Sequence, residues 1–128
     1  MTRQSGNPDL WKDNDVELFF YAVQTRKFWQ IVVNDNNAWS SQTDRKAFLK
    51  WDPMPGLRMK TVRNADSWTA EIAVPLSELK IDGGELRFNL CRERNIKGEN
   101  AEYSTWSPLA MLGNWHDPDN YGTLKFME

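Results

Sequence analysis

One cysteine and one histidine in 128 residues leave little room for several kinds of site. Cys91 has no partner for an intramolecular disulfide, so the fold must stand on its hydrophobic core, and cysteine usage neither proves nor excludes an oxidising compartment. A lone His116 rules out the paired imidazoles of a zinc site. No apolar run is longer than a few residues, so no membrane-spanning helix is expected, and nothing hydrophobic follows Met1-Thr2-Arg3-Gln4-Ser5-Gly6 to make a signal peptide. An excess of one charge is missing too. The 16 basic and 18 acidic side chains are interspersed and sum to −2, which offers no basic stripe for phosphates, so neither nucleic acid nor membrane is expected as a partner. There is no serine-nucleophile motif and no glycine-rich phosphate loop, Gly83-Gly84 reading as a turn. Glycoside hydrolysis would need two carboxylates at a set separation across a cleft, and the acidic residues single out no such pair. No catalytic residue is assigned.

What the chain has instead is aromatic: seven tryptophans, three tyrosines and six phenylalanines against a mean hydropathy of −0.71. Such a surplus builds a core or a binding face. The length fits one domain that buries a core unaided, with residues 1–10 as an N-terminal tail and 11–128 as the folded unit. From Asp15 to Val23, Val16, Leu18, Phe20 and Ala22 alternate with Glu17, Phe19, Tyr21 and Val23, which predicts a strand buried on both sides. Phe28 to Asn34 repeats the pattern, with Trp29, Ile31 and Val33 opposing Phe28, Gln30 and Val32, and the short link Gln24-Thr25-Arg26-Lys27 makes the two a hairpin. The turn chemistry of Asn34-Asp35-Asn36-Asn37 and the punctuated Trp51-Asp52-Pro53-Met54-Pro55-Gly56 predict a long loop that also carries Trp39. Strands resume at Leu57 to Arg63 and Trp68 to Val74, a second hairpin. Pro75 to Leu79 is expected as one helical turn, and Leu86 to Cys91, Glu102 to Trp106 and Tyr121 to Met127 as the remaining strands. The fold class expected is all-β, an antiparallel sandwich of jelly-roll kind, with Cys91, Trp29, Trp68 and Trp106 in its core.

The blocks Trp11-Lys12-Asp13-Asn14-Asp15-Val16-Glu17-Leu18-Phe19-Phe20, Gln30-Ile31-Val32-Val33-Asn34 and Trp68-Thr69-Ala70-Glu71-Ile72-Ala73-Val74-Pro75-Leu76 stand in an order that resembles the family 9 carbohydrate-binding modules. Arg87-Phe88-Asn89-Leu90-Cys91-Arg92, Trp106-Ser107-Pro108 and Trp115-His116-Asp117-Pro118-Asp119-Asn120-Tyr121-Gly122 extend the resemblance over nearly the whole chain from Trp11 onward. Modules of that family begin with further strands ahead of the first block. The resemblance therefore implies a sandwich shortened at its N-terminus, whose uncovered edge invites self-association. It also implies non-catalytic binding of a mono-, oligo- or polysaccharide such as xylan or cellulose, in the service of a tethered glycoside hydrolase, in an extracellular or periplasmic location. No cofactor is required by it beyond a structural calcium ion.

A pyranose offers C–H patches on its faces and hydroxyls around its rim, so its site needs flat aromatic surfaces and a few polar groups. Trp11 and Trp115 lie in polar surroundings without strand periodicity, and the resemblance implies that they sandwich the sugar; the alternative is that both anchor loops. Glu17 interrupts an apolar strand, which is costly unless its carboxylate finds donors. The resemblance makes those donors sugar hydroxyls; the alternative is a cross-strand lysine or arginine. Gln30 matches a family glutamine, or faces solvent. Asn114 and His116 flank Trp115 and join the candidate site by proximity. A family arginine aligns with Val32, so a multi-donor contact is lost here.

Asp13, Asn14, Asp15, Asp117 and Asp119 are the candidate calcium ligands on the resemblance, with loop capping as the alternative. Two rival functions stay open. One is a b-type haem held between His116 and a methionine such as Met54, Met59 or Met111, as in related sandwiches that transfer electrons. The other is an interaction domain whose aromatics only pack, without sugar affinity.

Overall fold

The computed structural model describes residues 3–7, 9–43, 54–79, 84–111 and 113–126. Period-two alternation becomes strand throughout. The described residues form β1 (Asp15–Ala22), β2 (Lys27–Asn34), β3 (Trp39–Thr43), β4 (Arg58–Arg63), β5 (Trp68–Ala73), β6 (Leu86–Arg94), β7 (Glu102–Thr105) and β8 (Gly122–Leu124). All pairings are antiparallel. The larger sheet runs β3-β2-β1-β6-β7, with β8 also on β6, and β4-β5 make a second, two-stranded sheet. β6 is long enough to pair with β7 along Cys91–Arg94 and with β8 along Leu86–Phe88 on one edge. The expected all-β antiparallel sandwich is what forms, divided six strands against two.

Alternation along β1 and β2 splits the larger sheet into two faces. One face carries Leu18, Phe20, Ala22, Trp29, Ile31, Val33 and Leu86 into the main core, where Met59, Ala70, Ile72 and Val74 of the β4–β5 side pack against them. The other face carries Asp15, Glu17, Phe19, Phe28, Gln30, Asn34, Asn89, Cys91 and Glu93, all buried. The β2–β3 turn is held by Asn34, whose Oδ1 accepts from the backbone N–H groups of Asn36 (3.0 Å) and Ala38 (2.9 Å). Asn37 takes φ = 56° there, a left-handed conformation that asparagine tolerates, and bonds both ways with Thr61 of β4. That contact ties the two sheets together at one end.

Three expectations need correction. β3 lies within the stretch expected to be a long loop: Trp39-Ser40-Ser41-Gln42-Thr43 has no apolar alternation, yet it pairs with β2 from Trp39↔Val33 to Thr43↔Trp29. Its backbone satisfies the edge of β2, and Trp39 alone packs on the main core. Trp51 lies outside the described residues. Trp106, expected in the core, is 61% exposed and covers Phe88 at the sheet's margin with ring centroids 5.9 Å apart. Of residues 1–10, expected as a tail, those described pack on the domain. Leu10 is wholly buried against Val32 and Ala38, while Gly6 N donates to Trp39 O and Trp39 N to Ser5 Oγ, both at 3.0 Å. No helix among the described residues is long and apolar enough to cross a membrane.

Candidate functional site

The second face of the larger sheet is covered from both ends of the chain. A 3-10 turn, Leu10–Lys12, seats Leu10 and so fixes Trp11 beside β1 and β2. Asn95, beyond the end of β6, fastens that turn by donating to the carbonyls of Lys12 (3.3 Å) and Asp13 (3.0 Å) and to Glu93 Oε1 (3.0 Å). From the other end, the segment after Gly113 lays Trp115, His116 and Tyr121 around Phe19. The Phe19 ring lies 6.4 Å from Trp115 and 5.5 Å from His116, both edge-on, and 5.9 Å from Tyr121. Tyr121 Oη donates to Trp115 O at 2.5 Å, closing that loop on itself.

Between the two covers lies a pocket of about 400 Å³ lined by Trp11, Glu17, Gln30, Glu93, Tyr103, Gly113, Trp115 and His116. Gln30 is its organising amide: Nε2 donates to Glu17 Oε2 at 2.8 Å, and Oε1 accepts from His116 Nε2 at 2.9 Å. The indole N–H groups of Trp11 and Trp115 are buried without a hydrogen-bond partner. Asp15 stands behind Glu17 on the same face of β1 and opposite Glu93 of β6. Asp15 interacts with the Glu17 side chain and the Glu93 backbone, though neither of its oxygens meets ordinary hydrogen-bond geometry.

This arrangement buries acid with amides, and not cations, as its partners. Burial, then the charges of Glu17 and Glu93, raises the Asp15 carboxyl far above its ordinary range. Burial raises Glu17 to about 8, the bond from Gln30 offsetting part of the effect. Glu93 is raised by burial as well, against the bond from Asn95, and burial pushes the Cys91 thiol up. Asp15 and Glu17 therefore retain protons at neutral pH. Asp13 pairs with Arg3 and accepts from Asn34 Nδ2 at 3.1 Å.

Of the residues singled out from the sequence, Trp11, Glu17, Gln30, Trp115 and His116 meet in the one pocket, whereas Asn114 is exposed outside its lining. Glu17 has Gln30 as its partner in place of a cross-strand cation, and Gln30, only 2% exposed, does not face solvent. Val32, where a family arginine aligns, is enclosed by Leu10 and Ala38. The calcium candidates are dispersed. Asp13 serves Arg3 and Asn34; Asn14 Oδ1 accepts from Asn95 N; Asp117 accepts from Asn120 Nδ2 at 2.8 Å; and Asp119 is exposed near Arg87. Among the described residues no three of His, Cys, Asp and Glu are grouped to hold a metal ion. Met54 and Met59 pack in the main core, on the sheet face opposite His116, and Met111 is 68% exposed. Glu93 and Tyr103 were not anticipated. Arg92-Glu93-Arg94 looks like a solvated charge run, although counting by twos from Asn89 through Cys91 puts Glu93 on the face of Glu17.

A larger cleft, about 950 Å³, opens between the sheets, with Val16, Leu18, Phe88 and Leu90 on one side and Trp68, Ala70 and Ile72 on the other. Trp68, expected in the core, lines this cleft half-buried. The cleft gathers none of the residues singled out as sugar contacts and no buried, unpaired polar side chain. The smaller pocket is the candidate site. Comparison of the chain with protein-family models, with curated proteins and with solved structures finds no match.

Proposed function

We propose that this domain binds carbohydrate without catalysing its conversion, holding one saccharide unit between Trp11 and Trp115 while Glu17 and Gln30 bond its hydroxyls. The observation that carries the reading is the convergence of two indoles, widely separated in sequence, with a buried carboxyl–amide pair in one pocket. Aromatic faces suit the C–H patches of a pyranose. Glu17 and Glu93 supply acceptors for hydroxyls, and the unpartnered indole N–H groups supply donors. A volume of about 400 Å³ falls within the roughly 300–1,000 Å³ usual for small-molecule sites. The resemblance to family 9 modules supports the same reading and extends it to xylan or cellulose, a tethered glycoside hydrolase and a place outside the cytoplasm. Such a domain acts by raising the local concentration of its partner's substrate. With Val32 where an arginine would add donors, affinity is modest, because desolvating hydroxyls offsets much of what stacking contributes.

The test is a fluorescence and calorimetric titration with neutral and amino monosaccharides and β-1,4-linked disaccharides, cellobiose and xylobiose among them. Saturable binding is expected, weakened at least about tenfold by Trp115→Ala, the scale of one lost stacking contact. Trp115 also packs on Phe19, so Trp11→Ala serves as the second variant, each checked for a native circular dichroism spectrum. A folded wild-type domain that binds no sugar of the panel would overturn the reading in favour of aromatics that only pack.

A further inference from the structure

We propose that the preferred sugar carries a protonated amine, an amino hexose whose ammonium sits at Glu93. This rests on the carbohydrate reading above and adds its substrate class. Asp15, Glu17 and Glu93 are 0%, 3% and 7% exposed and share one sheet face. Every cross-strand position that a compensating cation would occupy is taken by something else. Glu17 stands opposite Val32 on β2 and Cys91 on β6, and Asp15 opposite Asn34 and Glu93. Among the described residues, no lysine or arginine lines the pocket. Arg3, the cation near this end of the sheet, is paired with Asp13. A buried carboxylate without a cation is unfavourable, and Glu93, which lines the pocket, accepts from the Asn95 amide and is in no ion pair among the described residues. The missing partner has the chemistry of a ligand cation.

The aromatic lining points the same way. Trp11, Tyr103 and Trp115 surround the space in front of these acids, and ring faces attract ammonium groups, most strongly those of tryptophan. Trp11 already has such a contact: Lys12 Nζ lies 5.2 Å from its ring centroid, held by Asp9 at 3.2 Å and outside the pocket lining. The buried indole N–H groups of Trp11 and Trp115 lack acceptors, which a simple alkylammonium could not supply and a hydroxylated ring does. Acids, aromatic faces and orphan donors together fit a polyhydroxylated cation better than a neutral sugar.

Calorimetry of the wild-type chain with glucosamine, glucose, N-acetylglucosamine and choline, near neutral pH, separates the alternatives. Glucosamine is expected to bind at least about tenfold tighter than glucose, the scale of one charge-assisted hydrogen bond, and N-acetylglucosamine no tighter than glucose. Glu93→Gln, which keeps side-chain shape, is expected to bring the glucosamine-to-glucose ratio close to one. Equal affinity for glucosamine and glucose would overturn the inference and leave the carbohydrate reading standing, as would a preference for the acetylated sugar. Choline binding as tightly as glucosamine would overturn both, assigning the pocket to an organic cation without sugar recognition.

Discussion

On the face of β1 and β2 that meets the β4–β5 sheet, the buried side chains are Leu18, Phe20, Trp29, Ile31 and Val33. On the opposite face, one residue along in each strand, they are Asp15, Glu17, Gln30 and Asn34 around Phe19, joined by Asn89 and Glu93 from β6. The backbone and its hydrogen bonds are common to both faces, so the difference lies in the side chains alone. The first face removes apolar area from water, which stabilises folding by about 25 cal/mol per Å². The second removes carboxyl groups from water with amides in place of cations beside them, which opposes folding. Perturbed acids in a cleft are a recurrent mark of functional sites, and this cost beside an aromatic pocket is the ground for the ligand site proposed above.

The comparison breaks most visibly if the apolar face is not what holds the fold. Ile31 has no exposed surface and sits mid-strand in the main core. Ile31→Ala is expected to lower stability by about 3 kcal/mol, within the roughly 2–5 kcal/mol range of such truncations, read as a lower urea midpoint at unchanged slope. A loss under about 1 kcal/mol would mean that the β4–β5 sheet contributes little to the interior.

The acidic face makes the opposite prediction. In the unfolded chain Asp15 ionises near its ordinary value of about 3.9, but in the fold burial holds it protonated far above that. A carboxyl group whose folded pKa is raised contributes full stability below its unfolded pKa and loses it as pH rises toward the folded value. The wild type should therefore be more stable at pH 5 than at pH 8, the loss easing only where Glu17, at about 8, and its neighbours ionise in the fold. Asp15→Asn removes one such group and gives Glu17 an amide donor. It is expected to stabilise the domain by on the order of 2 kcal/mol at pH 8 and by little at pH 4, measured by urea unfolding at both pH values. A variant less stable than wild type at pH 8 would show that the Asp15 carboxylate is compensated after all.

How much of this was legible in the sequence follows from the same two faces. β1 and β2 could be placed because both alternate sets are strongly patterned, and Glu17 stood out as the single carboxyl among apolar neighbours. β3 could not, since Ser40, Ser41, Gln42 and Thr43 are buried by the company they keep and not by their own hydrophobicity. Glu93 was hidden between two arginines that point to the other face. Trp11 and Trp115 were chosen on the resemblance, and periodicity had no means of bringing residues so far apart in sequence to one pocket. Burial of polar groups is set by tertiary contacts, and those are what local pattern does not carry.

Trp106 sharpens the comparison at its margin, where cover of the apolar face gives out and Leu90 remains 40% exposed. Its ring lies over Gly122 so closely that a Cβ there would overlap the Cζ3 and Cη2 atoms. Gly122 is not among the glycines of positive φ, so space and not backbone conformation is what the residue provides. Gly122→Ala should push the exposed ring off Phe88 and cost about 1 kcal/mol, at the low end for overpacking because the ring can swing into solvent. Trp106→Ala should cost a similar amount through lost cover of Phe88. If the two effects are one, adding Gly122→Ala to Trp106→Ala should cost nothing more, giving a coupling of about 1 kcal/mol in the double-mutant cycle. Costs that simply add would mean that the methyl group disturbs the β6–β8 pairing itself, independently of Trp106.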